Sequence, residues 1–139
     1  MTANGVDTSP IIRGVWLLEN ILGTPPPPPP PDIEPIEPDT RGSTTIRDQM
    51  EKHRSDPTCA ECHRKIDPLG FALENFDAIG RFRTTYGPRK NIDASGTLPG
   101  GQEFKDLGEF IWHFRTEHPK FIRALTNKLM EYALGLSLI

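Results

Sequence analysis

The sequence predicts a mostly α-helical protein, in which a small helical domain follows an N-terminal helix and a polyproline linker. Apolar residues recur at helical spacing in several separate segments, and turn-rich connections join these segments. Seven consecutive prolines separate the first helical segment from the others. We therefore divide the chain into an N-terminal apolar helix (1–23), a polyproline and acidic linker (24–42) and a helical domain (43–139).

The composition predicts a small core. Apolar residues make up 35% of the chain, and 15 of its 139 residues are proline. Soluble domains are usually about 45–50% apolar, so the folded part is smaller than the chain and is expected to need a staple such as a metal, a disulfide or a cofactor. The net charge of −3 without a dominant basic patch predicts no nucleic-acid partner. No apolar stretch is long enough to predict a membrane span.

The stretch "TSPIIRGVWLLENILG" predicts a helix with defined ends. Ser9 suits the N-cap, Pro10 the first helical position and Gly23 the C-terminal stop. Its wide apolar stripe predicts packing against the rest of the chain or against a partner, which includes a second copy of the chain. The proline run that follows is interpreted as a semi-rigid spacer, with a docking peptide for a partner as the alternative.

Further helices are predicted along the chain. A cap residue among positions 43–45 starts a helix that runs to about Arg54 and places Ile46, Met50 and His53 on one face. The sequence then predicts a turn at 67–70, a short helix near 71–76, a loose hairpin within 92–104 and a helix near 105–115. A last helix opens near Pro119 with a stripe spaced for burial.

Both cysteines of the chain lie in the stretch "CAECH", as Cys59 and Cys62, directly followed by His63. A zinc site needs four ligands, usually as two pairs, and no second pair follows; His113 and His118 are five positions apart. A redox dithiol is expected within alternating strands and helices, which this chain does not show. A disulfide within C-x-x-C closes a very short loop and would stabilise little.

The C-x-x-C-H spacing is the signature of covalent haem attachment, and it predicts one haem c in this chain. Each cysteine sulfur adds to one vinyl group of the porphyrin, because two intervening residues let one helical turn span both vinyls. His63, next along that turn, supplies the proximal nitrogen to the iron. The predicted fold class is thus a small cytochrome c-like helical domain around one covalent haem.

The residues around this motif extend the pattern. "TSPIIRGVWLLENILGTPPPPPPP" and "MEKHRSDPTCAECHRKIDPLGFALENFDAIGRFR" resemble the C-terminal, c-type cytochrome-like part of large haem proteins of planctomycetes and related bacteria, which are built from domains of unknown function. The resemblance implies covalent haem at Cys59 and Cys62, axial ligation by His63, and export to the periplasm, cell surface or extracellular space. The first ten residues do not read as a signal peptide, so we expect the export signal to lie outside this chain.

The sixth iron ligand is a separate question. His53 is the leading candidate because imidazole is a common iron ligand and His53 shares a face with Met50 just before the motif. Met130 is the weaker one, since a methionine inside a helix usually fills core space. His113 and His118 are further candidates, and an open iron is the remaining alternative.

These patterns predict a monohaem c-type cytochrome module that transfers electrons to a redox partner protein or to neighbouring domains or subunits. The alternative is a haem-containing structural or assembly subunit of a surface complex. An enzyme is the less favoured interpretation, with peroxidase-like activity if the iron is open. Among other polar residues, Glu74 and Asp77 are interpreted as surface or capping groups, and the cations near Arg81 as a solvated face or as partners of the haem propionates.

Overall fold

The structure of the protein is a computed structural model that describes residues 8–28, 45–53, 57–88, 90–116 and 118–135. The side chains at positions 49, 51–53, 58, 116 and 118 lie outside this description. The described chain is mostly helical with one two-stranded sheet, which confirms the mostly α class.

The chain order of the elements is helical at both ends with a short hairpin between. The elements are α1 (Pro10–Leu17), a π-helical turn (Leu18–Leu22), α2 (Ile46–His53), α3 (Pro57–Phe71), β1 (Gly96–Thr97), β2 (Glu103–Phe104), α4 (Leu107–Thr116) and α5 (His118–Leu134).

The first helix begins and ends where its sequence predicts. The Ser9 side chain accepts a hydrogen bond from the Ile12 amide at 3.3 Å, and Pro10 occupies the first turn. At the other end, Gly23 adopts the left-handed conformation with φ of 61°, which ends the π-helical turn. The predicted helix over residues 10–22 is therefore confirmed.

Helix α1 packs within the chain, across α3, at two glycines. A Cβ atom at Gly14 would overlap the backbone carbonyl of Ile66, and one at Gly70 would overlap the backbone of Pro10. Each helix thus supplies one position without a side chain, so their backbones approach closely. The buried face of α1 consequently has its partner in this chain.

Helix α3 is longer than the sequence predicts. A turn was expected at Asp67-Pro68-Leu69-Gly70, but these residues continue the helix to Phe71, and the Ala72 amide donates to the Pro68 carbonyl at 3.1 Å. The short helix expected near 71–76 is absent, since turns follow Phe71. Both predictions were wrong because α1 covers this segment and buries Leu69, so tertiary packing overrides the local turn signal.

The core lies where the first two elements, α3, the hairpin and α4 meet. Its buried members are Leu17, Leu18, Ile66, Leu69, Ala72, Leu98, Phe104 and Phe110. The predicted hairpin is present, with β1 and β2 antiparallel in the register Gly96 to Phe104 and Thr97 to Glu103. Its Phe104 stacks edge-on against Phe110 of α4 at a centroid distance of 5.3 Å, which joins the sheet to the helix.

Helix α5 packs against the π-helical turn through Ala124, which lies next to Gly23. The predicted buried stripe of this helix is wrong. Its apolar side chains remain exposed: Phe121, Ile122, Leu125, Leu129, Met130, Tyr132 and Leu134. The spacing was correct for an amphipathic helix, but one small contact face does not cover it. None of the helices that the structure describes has the length and apolar character required to cross a bilayer.

Candidate cofactor site

The first two turns of α3 carry the motif side chains. Cys59, Cys62 and His63 are all partly exposed on the described part of this helix. Three residues of helix advance the chain by about 4.5 Å, so the two sulfurs lie about one turn apart along the axis. His63 follows Cys59 by four positions and shares its side of the helix. The helix therefore presents two sulfurs and an imidazole within an arc of about 100°.

Both thiols are unbonded, so the disulfide interpretation has no support here. Among the side chains that the structure describes, no three His, Cys, Asp or Glu groups are arranged to hold one metal ion. A zinc site with ligands contributed from elsewhere in the described chain is therefore not formed. Attachment of a group that bonds to each sulfur separately remains compatible with this geometry.

The imidazole of His63 is held by a carboxylate on the next helical turn. Its Nδ1 lies 2.9 Å from Oδ1 of Asp67, whose side chain is fully buried, and the His63 side chain itself is 13% exposed. In the tautomer whose Nδ1 carries the proton, this nitrogen donates a hydrogen bond to the carboxylate oxygen. The metal-binding nitrogen of such a ring is then Nε2.

An apolar cavity of about 630 Å³ opens beside α3. Its wall includes Cys62 and Leu69 of α3, Leu18 and Leu22 of the π-helical turn, and Leu98 of the hairpin. Cofactor pockets usually measure about 300–1,000 Å³, so the volume suits a ligand of the size of a porphyrin. Cys62 lies on the wall, whereas Cys59 and His63 are not among the described lining residues.

The remaining wall is formed by the start of the proline run and by several polar side chains. Pro25, Pro26 and Pro27, at the start of the run that the sequence interprets as a spacer, line the cavity. Lys65 and Lys120 lie at the same cavity. Their ammonium groups match a ligand that is apolar over most of its area and carries carboxylates at one edge.

The residues present fit a covalent haem. Two unbonded thiols flank one helical turn, one of them lines an apolar cavity of suitable volume, and an imidazole with its Nδ1 engaged lies beside them. Cys59 and Cys62 would hold the porphyrin through thioethers, and His63 would hold the iron.

The candidates for the sixth ligand are scattered. Met50 is buried at 2% exposure, and Met130 is 44% exposed on α5. His113 Nε2 lies 3.0 Å from the carbonyl oxygen of Glu103, which ties that ring to the hairpin. The side chains of His53 and His118 lie outside the described residues. The distal ligand therefore stays a prediction.

A second polar cluster is centred on Glu74, which follows the end of α3 and is fully buried. Oε1 of this carboxylate pairs with Nη1 of Arg13 at 3.1 Å, and Oε2 pairs with Nη2 of Arg83 at 3.2 Å. Oε2 also accepts hydrogen bonds from the Thr8 and Tyr86 hydroxyls at 2.8 and 3.0 Å. The prediction of a surface or capping role was wrong for Glu74, because its partners come from positions far apart in the chain.

The neighbouring Asp77 does act as a capping group, in agreement with the surface or capping role predicted for it. Its Oδ1 accepts from the amides of Ile79 and Arg81, and its Oδ2 pairs with Arg81 Nε at 3.0 Å. These bonds, led by the Arg81 amide, lower the pKa of Asp77 below its ordinary value. The two arginines of this segment have different environments. Arg81 is exposed, whereas Arg83 belongs to the Glu74 cluster.

The comparisons with known proteins bear on this site. The family model described as "PSCyt3: Protein of unknown function (DUF1588)" matches residues 1–86, which is 86 of 139 residues. The chain belongs to this family. It is a planctomycete-type, cytochrome-associated family of unknown function. No curated protein and no solved structure matches the chain.

The DUF1588 match covers both groups of residues described above. It includes the motif on α3, the carboxylate of Asp67 and the Glu74 cluster as far as Tyr86. The hairpin, α4 and α5 follow the matched region. The family thus supports the resemblance found in the sequence at the level of a cytochrome-associated domain.

Sequence reasoning missed Asp67 as part of the site. The signal was present, because Asp67 follows His63 by four positions, the spacing at which side chains meet on a helix. The predicted turn at 67–70 concealed it, since a turn would have pointed this carboxylate elsewhere. Lys65 follows the motif closely and could have been found in the same way, whereas Lys120 reaches the cavity only through the packing of α5.

Proposed function

We propose that this chain is a monohaem c-type cytochrome module that transfers electrons. The observation that carries the proposal is the position of C-x-x-C-H on a partly exposed turn of α3, with Cys62 on the wall of an apolar cavity. Bound haem supplies one-electron iron chemistry. The membership in a cytochrome-associated family supports the same function.

Separate residues of the chain attach the haem, bind its iron and exclude water from it. Each thiol, of Cys59 and of Cys62, adds its sulfur to one carbon of a vinyl group and its hydrogen to the other, so no external oxidant is consumed. His63 offers Nε2 to the iron while Asp67 holds Nδ1. Leu18, Leu22 and the other apolar wall residues exclude water from the ring.

The deciding experiment is a pyridine haemochrome assay on protein matured in cells that attach c-type haem. We expect one haem per chain that stays with the polypeptide under denaturing conditions. Replacing both Cys59 and Cys62 by Ala should abolish this, whereas His113→Ala, which changes a histidine of α4 that contacts the hairpin, should keep it. A wild-type protein without covalent haem would refute the proposal.

Spectra of the same protein test the distal ligand and the enzyme alternative. Visible and near-infrared spectra of His53→Ala and Met130→Leu should show which variant loses a six-coordinate, low-spin iron, and we expect it to be His53→Ala. Peroxide turnover by a high-spin wild-type protein would instead favour the enzyme. The packing of α1 on α3 within the chain favours electron transfer over an assembly role, which would place this helix on another molecule.

A further inference from the structure

We propose that Asp67 is the positioning residue of His63 and that its charge lowers the reduction potential of the haem. This inference rests on the proposed function. The geometry that carries it is the 2.9 Å contact between His63 Nδ1 and Asp67 Oδ1, made by a carboxylate with no solvent exposure.

The fold holds this carboxylate in a fixed place. Asp67 lies between Ile66 and Gly70, the two α3 residues against which α1 packs at backbone distance. The next residue, Pro68, lies under the hairpin, where its side chain is 3.1 Å from the position of a Cβ on Gly96. The turn of α3 that carries Asp67 is therefore packed on two sides, which fixes the backbone position from which the buried carboxylate contacts His63.

The consequence for the imidazole is geometric and electronic. A hydrogen bond from Nδ1–H to a carboxylate fixes the ring's tautomer and rotation and makes Nε2 a stronger donor to a metal. A negative charge shielded from water also favours the ferric over the ferrous state, because the ferric iron carries one more positive charge. Asp67 therefore shifts the one-electron equilibrium toward the oxidised form.

The test compares two charge-neutralising variants of the matured holoprotein. Asp67→Asn keeps the size of the side chain and removes its charge, whereas Glu19→Gln removes an exposed charge on the π-helical turn, at a residue that is not among the described lining residues of the cavity. In a spectroelectrochemical titration with a one-electron chemical reductant, Asp67→Asn should favour the ferrous form at least tenfold more than wild type does. For one electron, tenfold corresponds to about 59 mV upward.

The control decides what the shift means. Glu19→Gln should move the potential by less than half as much, because water screens its charge. Equal shifts in the two variants, or no shift in Asp67→Asn, would overturn the inference. A purely structural role of Asp67 would lower the urea midpoint of the variant and leave its potential unchanged, so that result also counts against it.

A measurement on the wild-type protein covers the case in which Asp67→Asn does not mature. In ¹⁵N-labelled holoprotein, the Nδ1 proton of His63 should be protected from exchange with water, because its acceptor is buried. Exchange as rapid as that of an exposed imidazole would overturn the inference. Absence of haem from the wild type would instead refute the proposed function, so the two failures are distinguishable.

Discussion

Arg13 in the first helix and Glu74 after the third form an ion pair with an N···O distance of 3.1 Å and side-chain exposures of 8% and 0%. The same guanidinium donates to the backbone carbonyls of Leu73, Phe76 and Asp77. Burial lowers the pKa of Arg13, and the Glu74 charge opposes that change. This pair joins α1 to the segment that follows α3, so the N-terminal helix is a structural part of the domain.

Replacing Glu74 by Gln should strongly destabilise the fold. The substitution leaves the guanidinium groups of Arg13 and Arg83 near each other without the carboxylate that they share. Breaking a buried pair on one side typically costs about 3–5 kcal/mol of unfolding free energy. Urea denaturation measures this loss directly.

A matched control is available in the pair of Arg47 and Asp93, whose side chains are 24% and 58% exposed. Asp93→Asn should cost less than about 1 kcal/mol, as is usual for surface pairs. Similar losses in the two variants would show that burial of Glu74 does not govern the strength of its pair.

The close crossing of α1 and α3 predicts that a side chain at Gly14 will destabilise the fold. Gly14→Ala places a methyl group against the carbonyl of Ile66, which is backbone and cannot rotate away. Overpacking of this kind costs about 1–3 kcal/mol or more. Gly108→Ala, in the exposed first turn of α4, meets only a side-chain oxygen of Asp106 and should be neutral or stabilising by up to about 1 kcal/mol. Thermal unfolding of both variants should give shifts of different size, and equal shifts would contradict the close approach.

The sequence predicts the elements of this fold better than their contacts. Capping residues such as Ser9 and Gly23 act locally, so the ends of the first helix could be assigned without a structure. The turn signal at Asp67-Pro68 is also local, but the packing of Gly70 against Pro10 overrides it. Local signals therefore fail where a distant segment covers the same residues.

The candidate site likewise contains residues that the sequence identifies and residues that only the tertiary fold brings together. Cys59, Cys62 and His63 are adjacent in sequence, so their spacing alone indicates the chemistry. Glu74 gives no such signal, because its partners lie up to 66 positions away and only the tertiary fold brings them together. The apolar cavity likewise combines five separate segments of the chain, and no periodicity in the sequence predicts it.

Tyr86 should make the stability of the protein fall at alkaline pH. Burial raises the pKa of Tyr86 above its ordinary value of 10.0, and the charge of Glu74, which accepts its hydroxyl proton in a hydrogen bond, raises it further. Below pH 10 the folded and unfolded states both hold this proton. Above it the unfolded chain releases the proton first, so the unfolding free energy declines as pH rises.

The measurement is the urea midpoint as a function of pH from about 9 to 11, the range around the ordinary tyrosine pKa. Tyr86→Phe should be less stable at neutral pH, because it loses the hydrogen bond to Glu74, but its stability should depend less on pH in this range. Tyr132→Phe, which changes a side chain that is 91% exposed, should keep the wild-type slope. Parallel curves for wild type and Tyr86→Phe would contradict this account of Tyr86.

Filling the cavity should exclude haem without changing the motif. Leu22 lies on the cavity wall and outside the C-x-x-C-H stretch. The substitution Leu22→Trp therefore fills space in the cavity while Cys59, Cys62 and His63 are retained. We expect the ratio of haem to protein to fall several-fold, with the helical content in circular dichroism preserved. Leu129→Trp, on an exposed part of α5, adds the same bulk and should leave the ratio unchanged. Full haem content in Leu22→Trp would mean that the ring occupies another surface of α3, because a Trp at that position and a porphyrin in the same cavity compete for one volume.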